Sequence, residues 1–225
     1  TKKRGSTLKA LAMQILCRCP PENSLGNRQK WFSSNPTFFN NANTFFARAS
    51  TNQILQKRQL ALNDFNKAIN LNPNHAAAYL NRGAIYDVLG EYEKAISDYS
   101  NAFLLNPQDY ISLHNRAMAF IKLEEYEKAL EDCNKAIALD STNPNGYFSK
   151  GRVQDKIGEY KFAIYNFSKA IDKGYAPVSE AYYGRANSWF SLNQFDKAEV
   201  DLNESLKLNP QNAKAYQLRG ILKEN

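Results

Sequence analysis

The sequence predicts an all-α protein, an α-solenoid of helix-turn-helix pairs preceded by an irregular basic N-terminal arm. Three observations predict it. A phrase recurs: "YLNRGAIYDVLGEYEKAISDYSNAFLLNP", starting at Tyr79, returns from Leu113 as "LHNRAMAFIKLEEYEKALEDCNKAIALD", 34 residues on. Inside each copy the apolar residues fall three and four apart, as on one face of a helix. Glycine or Asn-Pro punctuates the copies, and both end helices: glycine accepts the left-handed cap, and proline lacks the N–H that would continue the ladder.

The arm comes first in the chain. Residues 1–41 hold seven Lys and Arg and one acid, Glu22, whereas the remaining 184 residues carry 22 bases and 21 acids. The basic excess therefore belongs to the arm, and the near-neutral body argues against a phosphate-tracking surface. "STLKALAMQILCRC" sets Leu8, Leu11, Ile15 and Leu16 on one face, a short basic amphipathic helix. An aromatic-rich linker, "NRQKWFSSNPTFFNNANTFF", follows. The tract reads as a retained arm that docks on the solenoid or on a neighbour; the alternative is a mitochondrial presequence, which its acid-poor composition and "KWFSS" resemble. Three cysteines, Cys17, Cys19 and Cys133, give an odd count without paired spacing, hence no disulfide framework and a reducing, cytoplasmic setting. "CRC" lacks a second ligand pair, so no metal is expected. No apolar run approaches the roughly 18 residues of a transmembrane helix.

The repeats span 42–225. Units start at Ala42, Ala76, Tyr110, Pro144 and Ser179, and a single capping helix starts at Ala213. Each step is 34 residues except the fourth, which is 35 and absorbs its extra residue in "DKGYAPVS". In the second unit Ala76, Tyr79, Gly83 and Tyr86 form one stripe, Gly90 stops the helix, and Tyr92, Ala95, Ile96, Tyr99, Ala102 and Phe103 form the next. Helices of about 13 residues are too short to stand alone, and a pair of them leaves one face unburied. Stacking on a neighbour solves both problems, which is why the chain repeats itself.

Several positions recur in phase. The eighth is small: Ala49, Gly83, Ala117, Gly151, Ala186 and Gly220. The twentieth is alanine throughout: Ala61, Ala95, Ala129, Ala163 and Ala198. The twenty-fourth is bulky in Phe65, Tyr99, Phe167 and Leu202, with Cys133 in the third unit, and the twenty-seventh is small from Ala68 to Ser205. The loop proline is Pro73, Pro107 and Pro210; after the third and fourth units it comes late, at Pro144 and Pro177. On these positions residues 42–225 resemble the tetratricopeptide repeat family. The resemblance implies a right-handed superhelix of helix pairs and a role in binding other proteins, often within a larger assembly.

One feature departs from the family pattern. The seventh position, usually Leu there, is Arg48, Arg82, Arg116, Lys150, Arg185 and Arg219. The twenty-third is Asp64, Asp98, Asp132, Asn166 and Asp201. Two columns of opposite charge on packed helices suggest a structural ladder of charge-assisted contacts; the alternative is arginine stems lying along the core with wet heads. The unit with the weaker base, Lys150, is also the one that has lost its acid.

The resemblance further implies a concave groove lined by the first helix of each unit. Carried over, its fifth position reads Phe46, Leu80, His114, Phe148 and Tyr183, its sixth includes Asn81 and Asn115, and its ninth includes Met118, Arg152 and Asn187. An apolar strip with amides that both donate and accept suits an extended peptide or a helix. The family's carboxylate clamp for chaperone tails needs Lys at the fifth position and Asn at the ninth. Phe46, Leu80 or His114 and Ser50, Ala84 or Met118 stand there instead, so chaperone tails are not expected. His75 and His114 fall in different units, and neither a phosphate loop nor a nucleophile elbow occurs, so neither catalysis nor a cofactor is expected. The expected function is a protein-interaction scaffold. The alternatives are RNA binding, as in related helical-pair proteins, and a structural brick with an empty groove. The chain starts at Thr1 and stops mid-unit at "ILKEN", so it reads as part of a longer protein.

Overall fold

The computed structural model describes residues 41–223. The arm's amphipathic helix, its Cys17 and Cys19 and its presequence-like segment lie outside the described residues. Among the described residues there are eleven helices and no strand, so the class expected from sequence is the one found. They run α1 Ala42–Ile54, α2 Arg58–Leu71, α3 Ala76–Val88, α4 Tyr92–Leu105, α5 Tyr110–Lys122, α6 Tyr126–Leu139, α7 Pro144–Lys156, α8 Tyr160–Asp172, α9 Val178–Ser191, α10 Phe195–Leu208 and α11 Ala213–Lys223. The residues fall into two compact units, divided between Leu89 and Gly90. The division lies inside the second sequence repeat, between its two helices.

The first unit holds α1, α2 and α3. Its core is built from Phe65, Leu62, Ile69 and Ile85, with Ala49, Ala61, Ala68 and Ala78 where helices come closest. The second unit stacks α4 to α11. Each helix packs on the next in sequence, and α5, α7, α9 and α11 also pack on one another in series. That double contact is the stacking rule of an α-solenoid. The alanines of the twentieth position, Ala95, Ala129, Ala163 and Ala198, have no exposed surface. A larger side chain there would force the paired helices apart.

Helix starts follow the loop chemistry. Asn41, Asp109 and Asn143 accept backbone N–H groups at the starts of α1, α5 and α7. Pro144, late for the loop position, occupies the first turn of α7, where a missing N–H costs nothing. Pro177 likewise immediately precedes α9. The displaced prolines thus begin the next helix instead of closing the previous one.

The turn inside each pair is also constant. Gln56, Gly90, Glu124, Gly158 and Asn193 occupy the same repeat position, and all five have φ between 57° and 83°. This left-handed backbone is free of cost for glycine and strained for Gln56 and Glu124. The geometry of the pair therefore overrides residue preference at this turn.

Candidate functional site

The seventh-position cations come first, because they fix the first helices that carry the candidate groove. Arg116 donates through Nε and Nη2 to the two carboxylate oxygens of Asp132, both at 2.7 Å. Arg185 makes the same fork to Asp201, and Arg48 makes it to Asp64 at 2.7 and 2.6 Å. Each fork joins the two helices of one pair. The remaining nitrogen reaches backward. Arg116 Nη1 donates to Ser100 Oγ on the preceding pair, and Arg185 Nη1 to Ser168 Oγ. Arg82 Nη1 donates to Asn66 Oδ1 and Arg219 Nη1 to Asn203 Oδ1. Ser100, Asn66, Ser168 and Asn203 share the twenty-fifth repeat position, a polar column that the sequence reading passed over. The signal was present as an unbroken run of Ser and Asn. Arg116 and Arg185 therefore each tie three helices, and the carboxylates beside them raise both guanidinium pKa values further. Lys150 has no such bond. Asn166 turns instead to Gln154, donating to its Oε1 at 2.6 Å. Arg82 and Asp98 belong to different units, and Asp98 is buried in its own.

The candidate groove residues of the first unit are Phe46, Leu80 and Asn81. The Phe46 ring packs against His75, centroids 4.7 Å apart, and against Phe65 at 5.8 Å. His75 thus covers an aromatic face, and its burial lowers its pKa. Asn81 spends an amide proton on the Ala77 carbonyl of its own helix at 2.8 Å, leaving its oxygen as the free acceptor.

The second unit brings the other candidates together on α5, α7 and α9. Ser149 Oγ and His114 Nδ1 lie 2.6 Å apart, which joins α5 to α7. Burial, helped by the charge of Arg152, pushes His114 down to about 4, so the ring is neutral near pH 7. It is a link between pairs. Asp155 joins α7 to α9, accepting from Asn187 Nδ2 at 3.0 Å and from Ser188 Oγ at 2.7 Å. Asn187 therefore keeps its carbonyl oxygen as a free acceptor. Asn115 is half-buried and makes no hydrogen bond among the described residues.

Phe148 requires a correction. The fifth-position column places it in an exposed apolar strip, but its ring is 2% exposed. It stacks on Tyr175, centroids 3.9 Å apart, and meets Phe167 edge-on. Tyr175 comes from the lengthened loop between α8 and α9, so the extra residue of that step brings a lid over Phe148. The Phe167 ring in turn fits between helices only because Gly151 and Gly184 lack side chains. A Cβ on Gly184 would sit 2.6 Å from Phe167 Cζ.

Beside these rings opens a cavity of about 380 Å³, walled by α7, α9 and the start of α11. Arg152, Asp155 and Lys156 line it from α7, Tyr183 and Asn187 from α9, and Lys214 from α11. The Arg152 guanidinium carbon lies 5.9 Å from the Phe148 ring centroid, a cation over an aromatic face, and makes no ion pair among the described residues. Burial raises the Tyr183 phenol pKa, so it remains a neutral donor and acceptor. No cluster of residues suited to a metal occurs among the described residues. None of their helices is long and apolar enough to cross a membrane.

Helix pairs stacked through small residues, with polar links between successive first helices, define a tandem helical-repeat protein. Models described as "Tetratricopeptide repeat" match residues 42–75, 76–109, 110–143 and 179–212, more than half of the chain. The chain belongs to the tetratricopeptide repeat family. The fourth unit, which lacks both ladder charges in their usual form, falls between the matched spans. No curated protein matches the chain by sequence. Among solved structures it is similar to a chain of the APC/C hetero-tetramer Cut9-Hcn1, at 20% identity and a TM-score of 0.77, covering 87% of this chain and 38% of that one. It is also similar to a tetratricopeptide repeat protein from Parabacteroides merdae ATCC 43184, at 23% identity and a TM-score of 0.74, covering 87% of this chain and 76% of that one. A third is YrrB, described as a TPR protein with an unusual peptide-binding site, at 19% identity and a TM-score of 0.62, covering 85% and 97%. At these identities the likeness is one of fold.

Proposed function

We propose that this chain is a non-enzymatic scaffold that binds an extended segment or helix of a partner protein on the first helices of its repeats, as a subunit of a larger assembly. The observation that carries the reading is the face of α5, α7 and α9. Helices there are locked to one another by the His114–Ser149 and Asp155–Asn187 links, while the amide of Asn115 and the guanidinium of Arg152 remain uncommitted. Rigid helices presenting free hydrogen-bonding groups beside a partly apolar cavity bind without first paying an ordering cost. Met118 of α5 and Tyr183 of α9, both half-buried, supply apolar contact. Family membership and the peptide-binding description of YrrB favour this reading.

The test is affinity capture from native extract with the full chain, comparing wild type with Asn115→Ala/Met118→Ala and with Lys135→Ser on α6. Partner chains that bind wild type and the α6 variant, and drop at least several-fold for the double variant, support it. Equal capture by all three would place the contact elsewhere and favour a structural brick with an empty groove. RNA in the captured fraction, released by moderate salt, would favour the nucleic-acid reading. Against that stands the near-neutral body of 22 bases and 21 acids over 42–225.

A further inference from the structure

The cavity walled by α7, α9 and α11 has a chemical bias, seen by accounting for each polar group that lines it. Asp155 is engaged on both oxygens, which accept from Asn187 and Ser188. Asn209 Oδ1 accepts the N–H of Gln211, and Asn212 Oδ1 accepts the N–H of Ala215, so each amide has its acceptor engaged and its NH2 group unspent. Arg152, Lys156 and Lys214 are cations without an ion pair among the described residues. The unspent groups are therefore mostly donors. The unspent acceptors are the carbonyl of Asn187, the hydroxyl of Tyr183 and the exposed carboxylate of Glu180. A pocket rich in donors and poor in acceptors wants an acceptor-rich ligand.

Charge narrows the ligand further. Three cations face two carboxylates, a formal excess of one positive charge. That matches a single carboxylate, whereas a phosphate dianion would meet Asp155 and Glu180 across a small space. The walls of Tyr183, Phe148 and Phe167 suit the methylene stem beneath such a carboxylate. Helices α7 and α5 pack in series, so a partner segment lying on both passes the cavity. Such a segment need not end there.

We propose that this cavity is the site of an acidic side chain, Glu or Asp, within an extended segment of the partner, held by Arg152 with Lys156 and Lys214 at the rim. The proposal rests on the groove reading and gives the partner a required chemistry. It also predicts the basic arm of this chain to be a poor occupant, because the arm and the cavity carry the same sign.

The probe is a set of pooled dodecapeptides, acetylated and amidated at their ends, neutral and apolar elsewhere, with one central Glu. A matching pool carries Gln, and a third carries Gln with a free C-terminal carboxylate. Each is passed over the immobilised full chain as wild type, Arg152→Gln and Asn115→Ala. Arg152 makes no hydrogen bond among the described residues, so Arg152→Gln leaves the fold intact, which circular dichroism checks. The expected result is retention of the Glu pool over the Gln pool by about tenfold or more, the usual weight of a charge-assisted hydrogen bond. That preference vanishes in Arg152→Gln and survives in Asn115→Ala, although binding of both pools weakens there. Equal retention of the Glu and Gln pools, lowered by Asn115→Ala, would overturn this inference and leave the groove reading standing. Retention of no pool would overturn both. Arg152-dependent retention of only the free-carboxylate pool would show a chain end as ligand. Arg152-dependent displacement by a dodecamer of uridylate would show a phosphate site, and either result overturns the assignment.

Discussion

Replacing Arg116 by Met should be among the most damaging single changes on the polar side of the stack. The substitution keeps the aliphatic stem and removes the fork. Asp132, with its side chain 3% exposed, would then be a buried carboxylate without its partner. Removing one member of such a pair costs about 3–5 kcal/mol, most of it the penalty of the stranded charge. The same change at Arg48 should cost less, about 1–3 kcal/mol, although Asp64 is itself only 6% exposed. Arg48 is 60% exposed, so water already screens the pair, and Asp64 keeps a second donor in Asn52 Nδ2 at 3.3 Å. Arg185, at 21% against 16% for Arg116, should fall close to Arg116. The double variant Arg116→Met/Asp132→Leu should recover most of the loss, because no charge is left unpaired. Stacked repeats need not unfold as one unit. Urea melts should therefore be read together with amide exchange in α5 and α6, where loss of protection is expected for Arg116→Met and not for Arg48→Met. Equal destabilisation by Arg116→Met and Arg48→Met, or a double variant as unstable as the single, would refute the reasoning.

Three further outcomes are expected. His114 is held down to about 4 against an ordinary value of 6.5, so the unfolded chain takes up its proton first on acidification. The stability it contributes is complete above pH 6.5 and lost as pH falls to about 4, by up to about 3 kcal/mol. His114→Gln should flatten that window in pH-dependent urea melts, and an unchanged slope would count against it. Gly184→Ala sets a Cβ against the Phe167 ring and should cost about 1–3 kcal/mol, measured as a lowered Tm. Pairing it with Phe167→Leu should relieve part of the cost, and an additive loss would not fit the clash. Glu124→Gly relaxes a left-handed residue with φ of 60° and should raise stability by a few tenths to about 1 kcal/mol, which denaturant midpoints would detect or deny.

The helix pairs were legible in the sequence because close packing dictates residue size directly. Ala95, Ala129, Ala163 and Ala198 read as small positions and have no exposed surface. The charge columns were legible as columns, since residues 16 apart sit on paired helices. What the columns did not reveal was the second hand of each arginine. Ser100 and Asn66 look like ordinary surface residues until the neighbouring pair is in place. The turn at Gln56 and Glu124 was hidden for the opposite reason, because residue preference there points away from the backbone adopted. Phe148 shows the limit of carrying a column across repeats. A repeat position fixes the direction of a side chain and not what lies on top of it. The covering residue, Tyr175, enters from the one loop that breaks the period.

The breaks in the repeat rules gather in the fourth pair, α7 and α8, and they are coupled. Arginine and aspartate have become Lys150 and Asn166, so α7 has no fork to α8 and no backward bond to α6 on that side. In their place α7 has one link to α8, from Asn166 to Gln154, and two to its neighbouring first helices, through Ser149 to α5 and through Asp155 to α9. The links through Ser149 and Asp155 sit in helical register with Arg152, three residues from each. The guanidinium between them makes no ion pair among the described residues, and Asp155 accepts from Asn187 and Ser188 instead. Local rules tend to fail where a site is built. The missing rung, the links through Ser149 and Asp155 and the cavity all fall on α7, and the proposed role of Arg152 draws on all three.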